Sequence, residues 1–170
     1  MNRIAQFSKV SYLQFAKDWK NTFESYDDET ILKIYNNIKL PKRATSGSAG
    51  YDFYSPLSFT LKPSESVKIP TGIRVKINDG WFLSCYPRSG LGFMYRLQLN
   101  NTVGIIDSDY FNSSNEGHIM IKLTNASVED LTLELSEGVA FAQGIFTKYG
   151  ITFDDEASGV RDGGFGSTGI

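Results

Sequence analysis

Two periodicities divide the chain. Near the N-terminus Tyr12, Phe15, Ala16, Trp19 and Phe23 fall at i, i+3, i+4, i+7 and i+11, one apolar face of a helix. Ser11 and Gln14 form an S-x-x-Q capping box at its start. Asp27 or Asp28 can cap a second helix that has Ile31, Ile34, Tyr35 and Ile38 on its inner face. The first forty residues therefore read as helical. Two uses of the aromatic face are open, a surface for a protein partner and packing against the rest of the chain, and packing is favoured.

From about residue 50 the period becomes two. Ile73, Val75 and Ile77 alternate with Arg74 and Lys76, and Asn78-Asp79-Gly80 offers a turn before Trp81–Tyr86. Residues 119–123 and 131–135 repeat the alternation, and Val139–Phe146 is an apolar run suited to a buried strand. Many short strands at this spacing predict an all-β sandwich or barrel in one domain, without internal repeats. Residues 158–170 hold five glycines interleaved with Arg161, Phe165, Ser167 and Thr168. A cation, an aromatic plane and two hydroxyls on such a strap suit closure over a phosphorylated, planar ligand.

Composition narrows the chemistry. The 170 residues carry 17 basic and 19 acidic side chains, a net charge of -2, which is no footprint for direct nucleic-acid binding. The first twenty residues lack the apolar core of a secretory signal, and no run approaches the ~20 apolar residues of a membrane span. The reading expects a reducing cytoplasm and no membrane. One Cys (Cys85) and one His (His118) exclude an intramolecular disulfide and every Cys/His zinc site. Acid-base work then falls to carboxylates.

No Gly-x-x-x-x-Gly-Lys-Ser/Thr loop is present, and no Gly-x-Gly-x-x-Gly follows a strand into a helix. Arg88, Ser89 and Gly90, with Leu91 and Gly92, can form a compact anion site or merely a tight turn. Asp107 closes the apolar run Val103-Gly104-Ile105-Ile106 and is a candidate general base. The Asp107-Ser108-Asp109 spacing also admits a metal site. His118 reads as an ordinary surface or hydrogen-bonding residue.

Taken together, these segments resemble the trimeric all-β dUTP diphosphatases (dUTPases) through five motifs in the family's order. They are Ala49–Asp52, Arg88–Gly92, Asn101–Tyr110, Gly138–Gln143 and Gly163–Gly169. The resemblance implies a jelly-roll domain over residues 40–157, a helical extension over 1–39 and a flexible tail over 158–170 closing the active site. It implies hydrolysis of dUTP to dUMP and pyrophosphate, which limits uracil in DNA and supplies dUMP for dTMP synthesis. Asp107 would be the base for water attacking the α-phosphorus, with Mg²⁺ held by the phosphates and water rather than directly by protein. Arg88, Ser89, Gly90 and Gln143 would hold the triphosphate. Asn101 and the backbone of Gly104, Ile105 and Ile106 would read uracil, Tyr110 would pack beneath deoxyribose, and Met120 would lie near the nucleotide. Arg161 would cover the γ-phosphate and Phe165 would stack on the base, with Gly166, Ser167 and Thr168 in the covering strap. Asp52 would orient Arg88. A homotrimer with shared active sites is implied.

The chain departs from the family pattern in several places. Phe111–Glu116 stand where many members have one residue, Ala140 replaces a usual basic residue, and Arg161 precedes Phe165 by four positions rather than five. Two alternatives remain: a dCTP deaminase-related enzyme, and a dUTPase with an added regulatory role that binds a protein partner through the N-terminal helices.

Overall fold

A computed structural model describes residues 2–161. In chain order its elements are β1 (Ala5–Lys9), α1 (Tyr12–Thr22), α2 (Asp28–Asn37), β2 (Lys42–Arg43), β3 (Tyr51–Tyr54), β4 (Phe59–Leu61), β5 (Ser66–Pro70), β6 (Ile73–Ile77) and β7 (Trp81–Pro87). There follow α3 (Ser89–Tyr95), β8 (Leu97–Leu99), β9 (Gly104–Ile106), a 3₁₀ turn (Ser108–Asn112), β10 (Met120–Asn125), β11 (Leu133–Leu135) and β12 (Ala140–Lys148). The fold is mostly β, as the alternation predicts, and jelly-roll-like, as the resemblance implies.

The largest sheet has the order β2-β3-β12-β7-β9, and a second runs β5-β10-β8, with β1-β6 and β4-β11 as two-stranded ladders. All pairings are antiparallel. Phe53, Leu83 and Phe141, one from each of β3, β7 and β12, are fully buried in the core. Gly144 of β12 lets these strands approach, since a Cβ there would lie 2.8 Å from Leu83 Cδ1 and 3.1 Å from Phe53 Cε2. The turn at Asn78–Gly80 exists, with Gly80 at φ +79°, but it carries the chain from one sheet to another rather than closing a hairpin.

The N-terminal segment is helical as its pattern implies, with one exception. Residues 5–9 form a strand along β6, with Phe7 opposite Val75. The Phe7 ring packs on Phe53 at 5.9 Å and Phe146 at 5.7 Å, joining this ladder to the large sheet. Ser11 caps α1, accepting from the Gln14 N–H at 3.2 Å, and Asp27 caps α2, accepting from the Thr30 N–H at 2.7 Å. The capping box is only half made: Gln14 turns its amide to Asp18, and Glu116 takes the Ser11 N–H at 2.7 Å instead. Lys9 serves the other end of α2, donating to the carbonyls of Tyr35 at 2.7 Å and Asn36 at 3.1 Å. Phe15, Trp19 and Ile31 are fully buried, so the helices' aromatic face packs on the domain's own core. No helix among the described residues is long and apolar enough to cross a membrane.

Candidate active site

The chemistry-bearing residues gather in two places, both beside β7. The first lies where β3, β12 and β7 run side by side. Gln143 of β12 stands opposite Asp52 on one side and Tyr86 on the other. Asp52, almost wholly buried, accepts from the Arg88 guanidinium at 2.5 Å. A buried carboxylate needs such a partner, and the pair fixes where the guanidinium points. Gln143 donates to the Pro87 carbonyl at 3.3 Å. Gly50 makes room for it, because a Cβ there would lie 2.4 Å from Gln143 Oε1. Residues from three separate motifs thus meet at one corner.

Arg88 is followed not by a loop but by α3, for which it is the N-cap. Ser89 and Gly90 therefore sit in a helical first turn, whose N–H groups have no partner within the helix. Phe93 and Met94 on this helix point into solvent.

The second place is a cavity of about 270 Å³ lined by Asn101, Gly104, Ile105, Ile106, Tyr110, Met120 and Arg161, together with Cys85, Leu99, Val103, Ile119 and Ile121. It opens beside β9, the edge strand of the large sheet, which leaves half of its backbone N–H and C=O groups free to meet a planar hydrogen-bonding ligand. Thr102, a β-branched residue at φ +66°, holds the tight turn between Asn101 and β9 under backbone strain. Tyr110 is 3% exposed, and burial pushes its phenol above its ordinary pKa. The apolar lining residues Cys85, Leu99, Ile119 and Ile121 were not legible as site residues. Cys85 reaches the cavity through the register of β7 with β9, where it pairs with Gly104.

Asp107 follows β9 directly. Arg161 Nη2 donates to it at 2.5 Å, Arg161 Nε lies 3.0 Å from Asp109, and the guanidinium stands 5.9 Å from the Tyr110 ring. Among the described residues no three Asp, Glu, His or Cys side chains converge to hold a metal ion. Asp107 and Asp109 supply oxygen donors of the kind that suit a divalent cation or its bound waters.

His118 is not at the surface. It is fully buried, and its ring bonds to Asp18 and to the Gly72 N–H. Phe165, Gly166, Ser167 and Thr168 lie outside the described residues.

The register sets the distance between Asp107 and Arg88. Ile106 pairs with Leu83, which carries Asp107 level with Phe82 at the start of β7, whereas Arg88 follows its other end. Six residues of strand separate them, roughly 20 Å at about 3.3 Å per residue.

The chain matches the dUTPase family model over residues 36–169. It is 42% identical over 147 residues to the deoxyuridine 5′-triphosphate nucleotidohydrolase of Finegoldia magna, covering 81% of this chain and 98% of that protein. With the same enzyme from Lactococcus lactis it shares 39% over 145 residues, 83% of this chain and 95% of that one. The crystal structure of the dUTPase from Streptococcus mutans superimposes with a TM-score of 0.61 at 31% identity, covering 86% of this chain and 97% of that one.

Proposed function

The chain belongs to the dUTPase family, and we propose that it hydrolyses dUTP to dUMP and pyrophosphate at sites built between copies of itself. The separation of Asp107 from Arg88 carries this reading. A triphosphate is much shorter than roughly 20 Å, which supports one nucleotide taking Asp107 and the Arg88 corner from different chains. A homotrimer joins one chain's corner to another's cavity. Phe93, Met94 and Ile105, exposed apolar groups flanking both places, suit burial in such contacts.

In this reading the β9 edge and Asn101 hydrogen-bond the uracil edge, and Met120 lines the cavity beside it. Tyr110 lies beneath the deoxyribose, where a 2′-hydroxyl would clash. Arg88, aligned by Asp52, holds the phosphates with Ser89, Gly90 and Gln143. Asp107 accepts a proton from water as its oxygen attacks the α-phosphorus in line. The bond to the bridging oxygen breaks, and pyrophosphate leaves. A Mg²⁺ ion carried by the phosphates would offset their charge. Arg161 must leave Asp107 before the carboxylate can act as a base, and the phosphate chain offers it a stronger anion. Phe165, Gly166, Ser167 and Thr168 are assigned to covering the bound nucleotide. The aromatic face of the N-terminal helices is buried in the domain, so the reading gives it no partner.

The test is release of pyrophosphate from dUTP, dTTP, dCTP and UTP, with and without Mg²⁺, alongside ammonia release from dCTP. Selective, Mg²⁺-dependent pyrophosphate release from dUTP supports the reading. Ammonia from dCTP would favour a deaminase.

A further inference from the structure

A chain of hydrogen bonds runs from the N-terminal helix to the floor of the cavity. Asp18 of α1 accepts from His118 Nδ1 at 2.6 Å, with the same oxygen that takes Gln14 Nε2 at 2.7 Å. His118 Nε2 accepts the Gly72 N–H at 2.8 Å, so the ring proton sits on Nδ1 and points to Asp18. The His118 carbonyl accepts the Tyr110 hydroxyl at 2.8 Å, and Asn115 Nδ2 donates to that hydroxyl at 2.7 Å. Asn115 also takes the Gly117 N–H at 3.1 Å.

Both ends of this chain are anchored. Glu116 grips Ser11 by two bonds, of 2.7 and 2.6 Å, tying the Phe111–Glu116 loop to the start of α1. Arg74 donates to the Phe111 carbonyl at 2.6 Å and stacks on its ring at 3.6 Å. Gly117, at φ +68°, lets the loop fold back on Tyr110, since a Cβ would lie 2.7 Å from the Tyr110 carbonyl oxygen. The extended loop and the N-terminal helix therefore converge on one phenol.

We infer that Asp18, His118 and Asn115 are positioning residues that lock Tyr110, and that through it they set the discrimination between deoxyribo- and ribonucleotides. This rests on the proposed role of Tyr110 as the sugar floor. A phenol gripped at its hydroxyl from two sides cannot tilt to admit a 2′-hydroxyl. Asp18, one hundred positions from His118, is absent from all five motifs and lies in a segment that precedes the family match.

The experiment measures kcat and KM for dUTP and for UTP in Asp18→Ala, Asn115→Ala and Tyr110→Phe. Each is expected to lower the dUTP/UTP ratio of kcat/KM about tenfold, the size of one well-made hydrogen bond, with kcat for dUTP changing less than KM. Asp18→Asn keeps an acceptor for His118 and is expected to keep the wild-type ratio. Asp18→Ala combined with Tyr110→Phe should fall no further than either alone. Lys20→Ala breaks the Lys20–Asp28 ion pair between α1 and α2 without touching the network, and its ratio should stay unchanged. Independently of turnover, the His118 Nδ1 proton should show the downfield NMR shift of a short hydrogen bond in the wild type and lose that shift in Asp18→Ala. Unchanged ratios in the folded Asp18→Ala and Asn115→Ala variants, or an equal shift in Lys20→Ala, would overturn the inference. A wild type that turns over UTP as well as dUTP would instead remove the sugar-floor role of Tyr110, and the inference with it.

Discussion

Arg161 closes on Asp107 at 2.5 Å, tying the last described residue to the end of β9. The guanidinium covers the oxygen to which a water would give its proton. In this arrangement the carboxylate is ion-paired, and in the proposed reaction a triphosphate draws Arg161 away before chemistry begins. On that proposal, substrate binding and unmasking of Asp107 become one event.

Asp107→Asn is expected to lower kcat by on the order of 10²–10⁴-fold, because the amide cannot accept the proton of the water. Binding of a non-hydrolysable dUTP analogue should stay within about threefold, since Asp107 contributes a proton acceptor rather than ligand affinity. A variant keeping more than about a tenth of the wild-type kcat would take Asp107 out of that role.

Arg88→Ala and Asp107→Asn should each be inactive alone yet regain activity when mixed. If each site draws Arg88 from one chain and Asp107 from another, random assortment in trimers leaves about a quarter of sites with both residues intact. The mixture is unfolded and refolded together, and pyrophosphate release is compared with the wild type. No recovery would mean that one chain supplies both.

Deleting residues 162–170 removes Phe165, Gly166, Ser167 and Thr168. The expected loss in kcat is on the order of 10²-fold, as for loss of groups that cover and polarise a reacting centre. The thermal midpoint should not move, because β12, the last strand among the described residues, ends at Lys148. Unchanged turnover would remove the tail from the site.

Acid should loosen the N-terminal segment. Burial pushes the Asp18 and Glu116 carboxyls up, but hydrogen bonds from His118 and Gln14 on the first, and from Ser11 on the second, outweigh it and leave both below their ordinary 3.8 and 4.5. A lowered folded-state value means stability that is full above the ordinary value and is lost as pH falls through the folded one. Stability should therefore fall below about pH 4.5, and less steeply in Asp18→Asn. Trp19 fluorescence in a Trp81→Phe background, followed with urea at each pH, reads the effect.

Cys85 should resist alkylation in the native protein. Burial pushes its thiol up to about 12, and it lies under Gly104 in the cavity wall. Iodoacetamide at pH 8 should label it only after unfolding, as mass spectrometry would show. Rapid native labelling would mean that this wall opens.

The sequence by itself determined what depends on near neighbours. The α1 and α2 caps follow from Ser11 and Asp27, and β6, β7 and β12 from alternation or a continuous apolar run, because caps and periods are set within a few residues. The motifs also named Asp52, Arg88 and Gln143 at the corner and Asn101, Gly104, Ile105, Ile106 and Tyr110 in the cavity, but not its apolar wall. Tertiary structure alone decided what depends on pairing. Residues 5–9 are a strand because β6 lies beside them, in a stretch too short to show its own period. Arg88–Gly92 became a helix start rather than a turn. His118 was drawn into the core by Asp18, one hundred residues away, a contact that no local spacing can signal. The distance between Asp107 and Arg88 likewise comes from the register of β9 on β7, which is set by long-range packing of apolar faces and appears in neither segment alone.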